Sequence, residues 1–244
     1  MVGLDSRLSK SKGDPQASTQ GSVRPGTNGN EYVPKAVTSG EVARKIKQDY
    51  THGRKEPGMR GLDSIHGMLK QLMEGEQDIN QLVQSIVKSI YTEFNIKEVS
   101  IALRSPDGLF RYTVMYGLRD EIWAAHLGLS YTEEQLLDPA KYKWTDVSHH
   151  TKLFLAEENT YTAEEASTRT EHLSMRSKRK VVEDSIEGDY LDVFLYGPKD
   201  EKLGWIEIGG TWDGKLPDAQ TIRSLEIVSS VLSLAIVSRN QKNA

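Results

Sequence analysis

Apolar positions recur at helical spacing from Asp78 onward. Ile79, Leu82, Val83, Ile86, Val87, Ile90 and Phe94 step by three and four. That spacing puts them on one face of an α-helix and demands a surface to cover it. Asp78 stands before the run as an N-cap, where a carboxylate accepts the free N–H groups of the first turn. The period then changes to two. Val99, Ile101 and Leu103 alternate with Ser100, Ala102 and Arg104, which is strand spacing. Ser105-Pro106-Asp107-Gly108 reverses the chain, proline presetting φ and glycine completing the turn. Residues 109–116 return as the second strand of a hairpin.

The flanking segments read in the same terms. Leu62, Ile65, Leu69 and Leu72 predict an earlier helix, separated from the first by Gly75 and Glu76. Residues 119–127 read as a helix with Ile122, Trp123 and Leu127 on one side. Thr132 with Gln135 forms a capping-box pattern, and Pro139 ends that turn. Residues 141–147 predict a short strand carrying Trp144, and 148–158 a loop with an apolar knot at Leu153, Phe154 and Leu155. The stretch 162–189 is polar, with a capping-box pattern at Thr162 and Glu165, a basic run at Arg176, Lys178, Arg179 and Lys180, and acids at Glu183, Asp184 and Glu187. It reads as a mobile cover. Leu191, Val193 and Leu195 alternate again, Gly197-Pro198-Lys199-Asp200 turns the chain, and 203–208 pairs back. Asp218 caps a last helix that runs to about Arg239.

Composition adjusts this picture at one end. Only 37% of the 244 residues are hydrophobic, which is lean and points to a disordered portion beside an ordinary core. Residues 1–58 supply it: Ser, Gly, Pro, Thr, Asn and Lys dominate there, and Val42 to Tyr50 offers a helix too short to stand alone. The domain division is a tail at 1–58 and a folded unit at 59–244. The net charge of −4 gives no global pull toward nucleic acid or anionic lipid. The chain has no cysteine, which excludes disulfides, thiolate metal sites and thiol nucleophiles. No apolar run reads as long enough to span a bilayer, and no hydrophobic signal core stands at the N-terminus. The expected compartment is the cytoplasm.

Helix, hairpin, irregular middle, hairpin, helix describes an α+β fold: an antiparallel sheet with terminal helices packed on one face and a loop-covered pocket on the other. Residues 62–239 resemble a GAF domain, the sensory module related to the PAS fold. The resemblance is carried by the helix from Asp78 to Phe94 leading into Val99-Ser100-Ile101-Ala102-Leu103, by Tyr116-Gly117, by Trp144-Thr145-Asp146-Val147, and by Leu203-Gly204-Trp205-Ile206-Glu207-Ile208. It implies a non-catalytic regulatory module that binds cyclic nucleotides, tetrapyrroles, haem or small metabolites, or one that only dimerises. The Asn-Lys…Phe…Asp-Glu signature of the cyclic-nucleotide branch is not found. The missing cysteine argues against thioether-bound bilins and against the methionine-sulfoxide-reducing branch. No cofactor is named by the residues.

Alternation assigns faces. With a tight turn at 105–108, Val99, Ile101, Leu103, Phe110, Tyr112 and Val114 share the helix side, leaving Arg111, Thr113 and Met115 opposite. In the second hairpin Leu191, Val193, Leu195, Ile206 and Ile208 take the helix side, leaving Asp192, Phe194, Tyr196, Trp205 and Glu207. Arg111, Thr113, Met115, Asp192, Phe194, Trp205 and Glu207 are therefore the candidate ligand-binding residues. A face with Arg, Asp and Glu among Trp, Phe and Met suits a pocket wall. The competing reading is that Arg111 neutralises Asp192 or Glu207 with no ligand present. A one-residue slip would reverse these faces. His126, His149, His150 and His172 read as surface histidines rather than metal ligands, since adjacent residues on an extended segment point opposite ways. The basic run reads as a solvated, partly self-neutralised segment. No phosphate loop, nucleophile elbow or metalloprotease helix is present. Asp192 and Glu207 as an acid–base pair form the enzyme alternative.

The last helix carries two apolar stripes. Ile222, Leu225, Val228, Leu232 and Ile236 suffice to cover the sheet; Ile227, Val231 and Leu234 lie opposite. Either the helix at 62–73 covers the second stripe, or a second copy does. The expected partners are thus a small-molecule ligand and a homodimer mate held through the helix from Asp218 to Arg239. A dimerisation protein without any ligand is the alternative.

Overall fold

Two hairpins, where the alternating patterns place them, form the centre of the sheet. The computed structural model describes residues 38–53, 57–74, 78–159 and 179–243. In chain order its helices are α1 (Ser39–Gly53), α2 (Pro57–Glu74), α3 (Ile79–Glu93), α4 (Asp120–Leu127), α5 (Glu133–Leu136) and α6 (Ala219–Asn243). The strands are β1 (Ile96–Arg104), β2 (Phe110–Tyr116), β3 (Ser130–Tyr131), β4 (Thr145–Asp146), β5 (Thr151–Phe154), β6 (Tyr190–Tyr196) and β7 (Lys202–Thr211). Among the described residues they make one seven-stranded sheet in the order β3-β2-β1-β7-β6-β5-β4, with every neighbouring pair antiparallel.

One face of the sheet holds the larger core. Leu82, Val83, Ile86, Val87 and Ile90 of α3, Leu225, Val228 and Leu232 of α6, and Ile65 and Met68 of α2 close on Val99, Ile101, Val193, Leu195, Ile206 and Ile208. Each such side chain stabilises the fold by roughly 1.5–3 kcal/mol when fully withdrawn from water. The first α6 stripe therefore covers the sheet, as its spacing requires. The second stripe divides: Val231 is buried in the same core, while Ile227 and Leu234 stay about half exposed.

Helix ends follow local chemistry. Asp218 Oδ1 accepts from Thr221 N at 2.7 Å, and Thr132 with Gln135 forms the full capping box on α5. Asp78 occupies the N-cap of α3, but its carboxylate bonds none of the helix N–H groups; it accepts instead from Asn80 Nδ2 at 3.3 Å. At Gly117 φ is +86°, and a Cβ would lie 1.9 Å from the Lys97 carbonyl oxygen, so only glycine fits where β2 ends.

The chain departs from the sequence reading in several places. The segment 151–154, read as loop, is strand β5, and only Thr145–Asp146 of the expected strand at 141–147 pairs. Helix α1 is longer than the helix expected at 42–50 and has its own cap: Thr38 Oγ1 accepts from Glu41 N at 3.2 Å, and Glu41 Oε2 accepts from Thr38 N at 2.9 Å. The tail reading at 1–37, the break at Gly75 and Glu76, and the cover at 160–178 lie outside the described residues. Ala219–Gln241 within α6 is long and apolar enough, by length and composition, to cross a membrane, contrary to the expectation that no such run exists. Its inner face is packed on the sheet.

The main correction concerns faces. Ile101 pairs with Val114, but the next residue, Ala102, pairs with Tyr112. Thr113 is the extra residue of a β-bulge, and its Oγ1 donates to the Ile101 carbonyl at 3.2 Å. Two residues that strict alternation puts together are thereby parted. Val114 stays with the helices, whereas Phe110 and Tyr112 go to a second core on the far face with Ala102, Phe194 and Trp205.

Candidate functional site

On the far face, register arranges side chains in two neighbouring rows. One row runs Tyr112, Ala102, Trp205, Phe194; the other runs Met115, Ser100, Glu207, Asp192, Lys152. The first is an aromatic core. Tyr112 and Trp205 meet edge to face at 5.7 Å over the small Ala102, and Tyr131 and Phe110 close on Trp205 from other sides. Trp205 is 2% exposed. The second row is polar, and Tyr112 joins the two by donating its hydroxyl to Glu207 Oε2.

The candidate residues separate accordingly. Met115, Asp192, Phe194, Trp205 and Glu207 stand on the face assigned to them. Arg111 does not: it lies opposite Leu103, on the helix side, and its guanidinium holds both oxygens of Asp107 at 2.7 and 2.9 Å. The reading in which Arg111 neutralises Asp192 or Glu207 fails for the same reason. Thr113 is the exposed bulge residue. Phe194 and Trp205 belong to the packed aromatic core, so of the seven only Glu207 lines the open space described next.

That space is a cavity of about 480 Å³ at the end of the polar row. Strand β1 contributes Lys97, Glu98, Val99 and Ser100; β7 contributes Glu207 and the Gly209–Gly210–Thr211 run; α4 contributes Ile122 and His126. Residues 185–190 form the opposite wall. Register shifts around Glu98 open the β1–β7 ladder at this end, as bulges do beside sites.

The wall is fastened by charge. The buried Asp189 carboxylate accepts from Ala156 N at 3.0 Å, Ile186 N at 2.8 Å and Arg179 Nη2 at 2.9 Å. Arg179 also bonds Glu157 and holds that carboxyl below its ordinary range. Ser185 N donates to Gly214 O at 2.9 Å. Lys215 reaches Asp184 at 2.9 Å, which lowers the Asp184 carboxyl. Residues 179–189 are thus a clamped wall, not the loose cover expected. Of the basic run, Arg176 and Lys178 lie outside the described residues, and Arg179 is spent on Glu157 and Asp189.

His126 was missed by the sequence reading, which placed it at the surface. It is 5% exposed, edge-on to Tyr112 at 4.8 Å, with Nε2 at 3.9 Å from Glu207 Oε1. Its Nδ1 bonds the Ile122 carbonyl at 3.0 Å. The i, i+4 step from Ile122 to His126 was the available signal; Leu127, assigned to that face instead, is exposed. His149 and His150 gather around Tyr196 at 4.8 and 5.2 Å, and His172 lies outside the described residues. No group of three or more metal-ligating side chains occurs among the described residues. Burial, then the charge of Glu207, pushes the Tyr112 hydroxyl well above its ordinary pKa.

No protein-family model matches the sequence, and no curated protein matches it. Solved structures do. The GAF domain of a phosphoenolpyruvate-protein phosphotransferase from Coxiella burnetii is 12% identical, with a TM-score of 0.50 over 76% of this chain and 98% of that one. The phycocyanobilin-bound GAF domain of a cyanobacterial phytochrome is 9% identical, with a TM-score of 0.51 over 75% and 96%. At such identity the likeness is one of architecture. A central antiparallel sheet with helices on one face and loops over the other, superposing on nearly the whole of both domains, is the fold of a GAF domain.

Proposed function

We propose that the chain is a non-catalytic regulatory module of GAF type. It binds a small ligand in the cavity between residues 185–190 and the β1–β7 end of the sheet, and it relays occupancy through helix-mediated pairing of two copies. The observation that carries the reading is the cavity itself. It combines apolar wall at Ile122 and Ile186 with a few polar groups, the buried His126 and the partly exposed Glu207 among them, the composition of small-molecule sites. An enzyme using Asp192 and Glu207 as an acid–base pair fits less well, because only Glu207 faces the cavity and its carboxylate already accepts from Tyr112. The cytoplasm remains the compartment this reading supposes, with α6 acting as a core helix. Nucleic acid is not among the partners supposed, given the net charge of −4.

Pairing is supported by Ile227 and Leu234 on α6 and Leu62 and Leu69 on α2, large apolar side chains left in water on two helices that pack together. The same residues support the alternative of a dimerisation module without a ligand. A thermal-shift screen of the full chain against nucleotides, amino acids, amines and haem separates the two, since a ligand that binds the folded state raises its melting temperature. A compound that stabilises the unmodified chain, but not one in which Ser100→Leu fills the cavity floor, supports ligand binding. A flat screen with a persistent dimer favours the alternative.

A further inference from the structure

Two fastenings of the wall at 179–189 differ in kind. One lies at its base, where the buried Asp189 carboxylate takes the N–H of Ala156 and, within the wall, those of Ile186 and Arg179. Charge-assisted hydrogen bonds shut away from water are hard to open. The other lies at its outer edge, where 183–185 runs beside the turn 214–216. There Ser185 N donates to Gly214 O at 2.9 Å and Leu216 N to Glu183 O at 2.8 Å. Lys215 Nζ meets Asp184 Oδ1 at 2.9 Å, with 44% and 25% of the two side chains exposed. Such a pair is screened by salt and contributes little. No residue from 181 to 187 is buried, and Val182 is 82% exposed, so apolar burial does little to hold this edge down. Bonds inside the wall, from Arg179 to the Asp184 carbonyl among them, keep its shape when the edge swings from the base.

The turn on the other side of this contact leads straight into α6. Lys215 N donates to Thr211 Oγ1 at 3.0 Å, and Leu216 and Pro217 separate Lys215 from Asp218. Proline fixes φ in that short link. Asp218 then holds the first turn of the helix, accepting from Thr221 N at 2.7 Å through Oδ1 and from Ile222 N at 3.0 Å through its carbonyl. Ser185 and Gly214, which bond each other, both line the cavity.

We propose that the contact of 183–185 with 214–216 is a latch through which occupancy of the cavity reaches α6. A ligand wedged between Ser185 and Gly214 parts the two segments, and the freed turn loosens the Asp218 cap. This regulation rests on the reading of the cavity as a ligand site.

Amide hydrogen exchange of the full chain tests the latch without a ligand. Lys215→Ala is expected to speed exchange about tenfold at Ser185 and Leu216, whose N–H groups make the contact, and at least about threefold at Thr221 and Ile222. Ile186 at the base and Ile206 in the sheet should keep their rates. Raising salt from about 0.05 to 0.5 M should act in the same direction on the unmodified chain, and serves if the variant does not fold. Arg104→Ala, which removes an exposed ion pair with Glu201, should change none of these amides. Faster exchange at Ser185 and Leu216 with Thr221 and Ile222 unchanged would overturn the coupling to α6. Unchanged Ser185 and Leu216 in both variant and salt would overturn the latch. An equal loss of protection at Ile186 or Ile206, or an equal effect of Arg104→Ala, would overturn it too, because the chain would then be opening as a whole. A flat thermal-shift screen, by contrast, removes the ligand and leaves the exchange result standing.

Discussion

Tyr112 on β2 donates its hydroxyl to Glu207 on β7, two strands away, across the intervening β1. The link is open because β1 presents only Ala102 and Ser100 there, side chains too small to stand between them. A phenol so placed is held neutral by burial and by the negative charge beside it. Because its folded pKa is raised, the stabilisation it contributes is complete below the ordinary tyrosine range and is lost as pH climbs toward the folded value. An ultraviolet titration should show a tyrosine that stays protonated past about pH 10, where free phenols ionise. Tyr196 is half-buried and shifted in the same direction, so the diagnostic is that Tyr112→Phe removes the last phenol to ionise.

At the tip of the first hairpin the sign is opposite. The Arg111 guanidinium, then the Leu109 N–H, hold Asp107 at about 2. Its stabilising interaction is present above the ordinary carboxylate range and is lost only as pH falls through that value. A carbon-detected titration should place the Asp107 midpoint near there, and Arg111→Ala should return it toward ordinary. The pair is solvent-exposed, so melting at neutral pH should change little.

Trp205 fills the aromatic core on the far face. Trp205→Ala should destabilise the chain by about 3–5 kcal/mol, read as a lower urea midpoint. A smaller loss would mean that Tyr112, Tyr131 and Phe110 collapse into the space. That variant is therefore a poor probe of ligand response, and cavity residues should be changed instead.

On α6, Leu234 is a cleaner place to test pairing than Val231, which is only 6% exposed. Leu234→Glu should shift folding free energy by no more than roughly 0.5 kcal/mol and halve the mass seen by light scattering. Val231→Glu should unfold the monomer. An unmodified chain that is monomeric at high micromolar concentration rules out the pairing and leaves Ile227 and Leu234 as ordinary surface residues.

Truncation tests the domain division. A chain beginning at Glu56 should melt with the full chain, since the α1 side chains at 42–52 are exposed throughout. A drop of several degrees would show that the removed residues dock.

What the sequence revealed followed from repetition. The α3 and α6 stripes, both hairpins and the Thr132 capping box announce themselves by period or by local chemistry, and each occurs where expected. What it concealed depends on single events. The bulge at Thr113 leaves no mark in the spacing of Tyr112 and Val114, because an alternating pattern reads identically with or without it. His126 is buried by a ring that packs on Tyr112 from a different element, a contact no local window contains. Strand β5 is only Thr151–Phe154, short enough that its alternation merges with the loop around it. Glu207 was legible because it alternates within a strongly apolar strand. Residues 185–190 were not, since a wall pinned through Arg179 and Asp189 looks in sequence like any charged loop.

The bulge also bears on how such a domain changes over generations. Removing Thr113 alone would take out only the residue the bulge sets aside, leaving Tyr112 opposite Ala102 and Val114 opposite Ile101, each on its present face. A single codon's loss or gain at this point is thus absorbed, whereas the same change in an unbulged stretch of strand would turn every later side chain to the other face. Length variation at this bend is therefore an alteration through which the hidden face of the sheet would keep its lining.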